Sequence, residues 1–557
     1  MNVAFQNIGK LHPKKSAFDL SYDVKLTCDM GELIPTMAKL MVPGDTFKYA
    51  VEDVVRLLPL ATPIYHEIIV TNHTFFIPIR ILMKNFDRYI SGGKDGNYVT
   101  PIPKWNPTVD DLKLFTLWDY FGFPVTNYTI PPIDARNLPM DMLRRAYNYI
   151  WDEYYRDQNY DEPINTGDDG KTETPPTVWG NNRKVLKRRW KKDYFTSALP
   201  FRQRGTAPAL PIAGVLRADF ERLANYTIST DGNPIGTGNI AYLGVSINNN
   251  NKAININRSN AANLSGGQLG QATENLIGAL NSNTIKVNEA ATCDVNDLRT
   301  VVQLQKWMER NARAGVRYKE FIDVHFDEHI GDSTLQRPEY VGGTKTFINV
   351  NEVVSTMQFE GLSNPQGTMT GHGLAADEGY VGTYHAREFG IIMNITSIMP
   401  KPCYEDGFER EWMYNDKEEW YMPEYAHLSE QAILNQEVFP KGGNPVTTEG
   451  KPITGGDLDI WAYQGRYDEL RVSKDKVVSE MRVKVPSSYS SMADWHLSRS
   501  FTSLPNLNSN FLECNPDKRV FMVMEGQSKT CIINHANLIK AIRPLPEIAE
   551  PGLMDHF

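Results

Sequence analysis

The chain has 557 residues, a formal net charge of −9 and 41% hydrophobic residues, enough apolar material for a sizeable core. The acidic balance excludes a protein whose whole surface coats nucleic acid, so any such contact has to come from a local patch. Five widely spaced cysteines, an odd number without a C-x-x-C pair, point to free thiols in a reducing compartment rather than to a disulfide framework. No stretch has the apolar length of a signal-peptide core or a membrane span, which predicts a soluble chain without membrane insertion.

Length alone suggests roughly three to four domains, a prior that fails for β proteins with long insertions. The 40 Gly and 34 Pro, spread among short apolar runs, favour many strands and loops over a helical bundle. Residues 10–15, KLHPKK, form a small basic arm. Val24, Lys25 and Leu26 begin a strand that Gly31 to Pro35 closes, and Pro43-Gly44-Asp45 turns into the next. Residues 65–82, YHEIIVTNHTFFIPIRIL, are β-branched and aromatic, with Pro78 placing the later part near an edge or a bulge. Together these segments predict the opening of a β-sandwich.

Residues 137–159 predict a helix. Leu143, Ala146, Tyr147, Ile150, Trp151, Tyr154 and Tyr155 recur at three- and four-residue spacing, with Asn137 and Pro139 as start signals, and the aromatic stripe reads as core. A polar linker over 161–182 precedes a basic run in which Arg183, Lys184, Lys187, Arg188, Arg189, Lys191 and Lys192 surround Trp190. Residues 222–292 are rich in Asn and Gly. Between Asp231 and Asn288 there are 14 Asn and five charged side chains, a composition with little core of its own.

Residues 298–343 carry the sharpest local signals. Leu298, Val301, Val302, Leu304, Trp307, Met308 and Ala312 predict a helix ending near Gly315. From Val316 an alternation takes over, with Tyr318, Ile322, Val324 and Phe326 on one side and Glu320 as its one lapse, which predicts a strand. A turn-rich tail follows, ending in Arg337-Pro338-Glu339-Tyr340 and Gly342-Gly343. Further on, Gly390 to Ile395 predicts a buried strand.

Several blocks match a known family in order along nearly the whole chain. They include GELIP (31–35), PGDTF (43–47), AYNYIWDEYYRDQN (146–159), DYFTSALP (193–200), ERNARAGVRYKE (309–320), RPEYVGG (337–343), YMPEYAHL (421–428), WAYQGRYDELR (461–471) and AIRPLP (541–546). The chain thereby resembles the major capsid proteins of the Microviridae, small icosahedral single-stranded DNA bacteriophages, and their gokushovirus branch most closely. Only the linker and the Asn-rich segment lack counterparts.

The resemblance implies a mainly β fold: one eight-stranded jelly-roll β-sandwich of viral capsid type over residues 1–557, with long loop and helix insertions. Residues 222–292 would be an exterior protrusion suited to a host-cell receptor. About 60 copies would close into a T=1 shell around a circular single-stranded DNA genome, with minor capsid or DNA-pilot proteins as further partners. Assembly in a bacterial cytoplasm and residence in the virion are implied too. The basic arm at 10–15 is either a solvated terminus or an arm along the inner shell surface.

No catalytic, metal or cofactor site emerges. His325, Glu328 and His329 fit H-x-x-E-H, but on a strand residues four apart lie about 13 Å from each other, too far to share a zinc. Gly371, Gly373 and Ala376 fit G-x-G-x-x-A without a leading apolar strand or a following helix, and read as a flexible loop. The basic run is the candidate DNA-binding site: Arg183, Lys184, Lys187, Arg188, Arg189, Lys191 and Lys192 would neutralise phosphates and Trp190 would stack on an unpaired base. The other reading of the run is a solvated or subunit-facing segment. The alternative for the whole chain is a carbohydrate-binding or carbohydrate-active β-sandwich.

Overall fold

Strand β4, Thr46–Leu57, shows how the sheets are specified. Phe47, Tyr49, Val51, Asp53, Val55 and Leu57 are buried while Lys48, Glu52, Val54 and Arg56 between them are exposed, the period-two pattern of a sheet with one wet face. The computed structural model describes residues 13–125, 138–164, 182–208, 242–247, 254–259, 295–314, 317–354, 369–428, 430–442, 456–486, 488–522 and 529–548. Contacts divide the chain into two units, Met1–Arg204 with Glu309–Phe557, and Gly205–Met308.

The first unit is mainly β and contains two larger antiparallel sheets. One consists of β1 (Ser16–Asp19), β2 (Tyr22–Cys28), β4, β9 (Asn349–Val354), β10 (Met369–His385) and β14 (Cys531–Arg543), in the order β1-β14-β4-β10-β9, with β2 also paired to β14. The other runs β3-β11-β5-β8, from β3 (Ile34–Met41), β5 (Ile68–Pro78), β8 (Glu339–Phe347) and β11 (Gly390–Pro400). Strands β12 (Glu430–Leu434) and β13 (Ile460–Gly465) form a separate pair in the same unit. In the second unit, β6 (Tyr242–Ile247) pairs antiparallel with β7 (Ile254–Ser259).

The two larger sheets face each other across apolar clusters. One gathers Val55, Leu57, Ile68, Val70, Ile398, Cys531 and Ile533, the other Met37, Phe47, Tyr49, Phe76, Ile392 and Ile539. A polar network is sealed between them. His535 is 0% exposed and its Nδ1 lies 2.5 Å from Asp53 Oδ1, Asn72 donates to Asp53 Oδ2, Thr396 donates to Asn72, and Tyr49 donates to Asn537. Each member has a partner, which is what allows so many polar groups inside a core.

β11 is buried along its whole length because both of its faces are covered. Ile391, Met393 and Ile395 point away from the facing sheet into a third cluster with Trp118, Tyr147 and Ile150. Tyr147 and Ile150 belong to helix α1, Met142–Ile150, whose last turn widens into a π-helix at Trp151–Tyr155. The aromatic stripe read from the sequence is thus core. Its helix starts later than expected, at Asp141, whose carboxylate holds Arg144 at 2.7 Å and Arg145 at 2.9 Å. Helix α2, Val295–Ala314, matches the reading of its apolar periodicity.

Three local expectations are corrected. The strand expected over 316–326 is a helix, α3, Tyr318–Phe326. Glu320, the lapse in the alternation, lies in its first turn and accepts from Arg317 at 3.1 Å and from Gln158 at 2.6 Å. The helix stops at Asp327 in the left-handed region, His325 contacts Asn311 and His329 contacts Asp323. The two histidines therefore do not share one helical face, although the reason is not the extended geometry first argued. The turn-rich tail holds from Asp327 to Pro338, but its end, from Glu339, is strand β8, and the G-x-G-x-x-A stretch is strand β10 rather than a loop. Pro78 ends β5, and the ladder to β8 shifts register between Thr74 and Phe75, the bulge its position suggested. Most of the linker at 161–182, the arm at 10–12 and, apart from β6 and β7, the Asn-rich segment at 222–292 lie outside the described residues.

Candidate nucleic-acid interface

The basic run is extended because two other backbone stretches grip it. Leu33 N–H donates to Leu186 and Arg188 N–H to Gly31 on one side; Trp190 N–H donates to Leu512 and Cys514 N–H to Arg188 on the other. Gly31 sits at φ +86°, and a Cβ there would lie 2.0 Å from the Cys514 carbonyl oxygen, so only glycine lets these chains approach.

The run forms one rim of a cleft of about 930 Å³. One wall is the outer face of β5, where Ile69, Thr71, His73 and Phe75 alternate. Tyr340, Gly343, Thr344 and Lys345 of β8, Tyr154 to Asp157 beyond α1, and Lys319 of α3 complete much of the rest. The lining carries Arg156, Arg188, Arg189, Lys191, Lys192, Lys319, Lys345 and Lys401 against Glu67, Asp157 and Asp332, eight cations to three carboxylates. In a chain of net charge −9, that imbalance makes the cleft a local positive field.

Several of these cations are already paired: Arg189 with Asp161 at 2.6 Å, Lys192 with Asp157 at 2.5 Å, Lys319 with Asp332 at 2.7 Å and Lys401 with Asp475 at 2.5 Å. Among the described residues no carboxylate lies in ion-pair range of Arg188, Lys191 or Lys345. Arg188 donates to the hydroxyls of Thr71 and Ser397 and lies over the Tyr155 ring. Lys191 and Lys345 are exposed. His73 adds no charge near neutrality, since burial, aided by Arg188, holds its pKa down at about 4.

The predicted residues thus divide. Arg188, Arg189, Trp190, Lys191 and Lys192 line the cleft. Arg183 turns away to Asp111 at 2.6 Å, Lys187 to Asn515 at 2.8 Å, and Lys184 is exposed elsewhere. Trp190, expected to stack on a base, is only 5% exposed, and the Arg499 guanidinium lies 5.2 Å from its ring centroid. A ring covered in this way is packing, not a platform. Tyr340 is the ring that sequence reading missed: it is 50% exposed on the cleft wall, with centroid distances of 5.5 Å to Phe75 and 6.0 Å to His73. The β8 alternation, hidden by its glycines, was the signal for it.

The model of the family described as "Capsid protein (F protein)" matches residues 7–553. The chain belongs to this capsid protein family. Among its relatives is capsid protein VP1 of Chlamydia phage 1, 30% identical over 99% of this chain and 98% of that one. Capsid protein VP1 of Bdellovibrio phage phiMH2K is 29% identical over 100% and 98%, and that of Spiroplasma virus 4 is 25% identical over 97% and 96%. The resemblance to Microviridae capsid proteins is therefore correct. As a capsid protein the chain is structural rather than an enzyme, assembles with copies of itself and resides in the virion. The carbohydrate-binding alternative falls away.

Proposed function

We propose that this capsid protein closes, in about 60 copies, into a T=1 icosahedral shell around a circular single-stranded DNA genome, and that the basic cleft faces the interior and holds that genome. The observation that carries the reading is the excess of cations over carboxylates in one cleft of an otherwise acidic chain. Arg188, Lys191 and Lys345 supply the phosphate contacts, and Tyr340 supplies the face on which a base stacks. The sandwich is an eight-stranded jelly roll once β1 and β2 count as a single bent strand and β9, at the end of its sheet, counts as an addition to the eight. In its favour, β2, β4, β10 and β14 lie in one sheet and β3, β5, β8 and β11 in the other, an alternation that crosses repeatedly between the layers. Assembly takes place in the host cytoplasm, and the Asn-rich insertion faces outward toward a receptor.

Replacing Lys191 and Lys345 together by Gln tests the cleft, because both are exposed and neither replacement orphans a described carboxylate. Binding of an oligo-dT strand to the purified subunit should weaken, and the slope of log K against log salt should flatten by about 1.4, the value for two lost phosphate contacts on a single strand. Unchanged affinity and slope would remove the genome from the cleft and favour a subunit-facing role for the basic run.

A further inference from the structure

Cys28 and Cys531 are the facing residues at one end of the β2–β14 ladder, the last residue of β2 opposite the first of β14. Directly opposed residues of an antiparallel pair project to the same face with Cα atoms about 4.5–5.5 Å apart, inside the span of roughly 4.4–6.8 Å that a disulfide bridges. Both are free thiols, 2% and 0% exposed in the same apolar cluster. The register that brings them together is pinned just beyond the pair. Asp29 Oδ1 accepts from Thr530 N–H at 3.1 Å, and Lys529 bridges Asp29 at 3.2 Å and Glu32 at 2.5 Å.

We propose that Cys28 and Cys531 form a latent cross-strand disulfide that closes when the capsid protein meets a small-molecule disulfide oxidant such as oxidised glutathione. One thiolate attacks the oxidant's S–S bond and expels a thiol, and the second thiolate attacks the resulting mixed disulfide and expels another. The protein thus loses two protons and two electrons and gains one S–S bond, while one oxidant molecule becomes two thiols. The neighbouring Cys531 and burial hold the Cys28 thiol well above its ordinary pKa, so the pair is inert while the ladder is closed and reacts as the edge strand β2 opens. A bond between residue 28 and residue 531 ties the early strand β2 to the late strand β14 and closes nearly the whole chain into a loop, the case in which a cross-link restricts the unfolded state most. The free thiols read from the sequence then describe the state in the producing cell, and the bridge describes the particle outside it.

The test uses the full-length protein incubated with oxidised glutathione at urea concentrations below its unfolding transition, then denatured with iodoacetamide without reductant. Intact mass should show three alkylated cysteines instead of the five in the sequence, and a digest should contain one linked pair, Cys28 with Cys531. The oxidised protein should unfold at higher urea than the reduced one, a difference absent from Cys28→Ser and Cys531→Ser, in which the remaining thiol should end as a glutathione mixed disulfide or alkylated and no linked pair should form. Five alkylated cysteines in the parent after oxidation throughout the native range of urea, or a linked pair other than Cys28 with Cys531, overturns the proposal.

Discussion

His73 shows how one side chain carries both the fold and the cleft. Its Nδ1 lies 2.8 Å from the Tyr155 hydroxyl and its ring packs against Phe75 and Tyr340, so protonation inside the wall is unfavourable and the pKa falls to about 4. An unfolded histidine takes up its proton near pH 6.5, so between those two values the unfolded state binds more protons and stability falls as pH falls. The loss is at most roughly 3 kcal/mol and is complete near pH 4. Burial shifts His66 in the same direction, so removing one histidine removes only part of the slope. In His73→Gln, which keeps a hydrogen-bonding side chain beside Tyr155, urea midpoints measured at pH 7, 5.5 and 4.5 should decline less than those of the parent. Parallel declines would show that His73 is not held neutral.

At the scale of elements, Gly342 explains both a misreading and a constraint. It follows the bulge in β8, and a Cβ on it would stand 2.1 Å from the Val381 carbonyl oxygen of β10, with no flexible side chain there to give way. Gly342→Ala should therefore cost about 1–3 kcal/mol, in the range of overpacked cores, read as a lower urea midpoint of the purified subunit. A midpoint within error of the parent would mean that the two sheets are not this close at that corner. The sequence signalled turns at Gly342-Gly343 because close approach of backbones and tight turns call for the same residue. Elsewhere, local pattern was enough: the buried strand β11 and the aromatic stripe of α1 were legible. α3 was not. Tyr318, Val324 and Phe326, the residues that gave it a strand-like alternation, are exposed by 62%, 42% and 65%, so the apparent face is no face at all, and Glu320 was the truer signal. The candidate site was half legible: charge density located the rim, but which cations face the cleft, the burial of Trp190 and the part of Tyr340 depend on contacts between distant stretches of chain.

For the whole molecule, the division into two units bears on what the Asn-rich insertion is for. The sandwich, its polar network and the cleft are all built from residues of Met1–Arg204 and Glu309–Phe557, and none of their described parts comes from Gly205–Met308. A variant lacking residues 231–288 loses no described residue of those cores, and shortening a long excursion changes its closure entropy only weakly. Such a variant should remain soluble, keep the strand signal in circular dichroism and bind oligo-dT as the parent does. Light scattering on native particles should give a protein mass of roughly 3.8 MDa for about 60 parent subunits of 63.1 kDa, and a proportionately lower mass for the shortened shell if the insertion faces outward. Two failures carry different meanings. Insoluble protein would place the segment in the folding core and end the protrusion reading, whereas soluble subunits that bind DNA but no longer form particles would place it at contacts between neighbouring copies. Particles that assemble at the expected mass yet no longer attach to host cells would assign the insertion to receptor recognition.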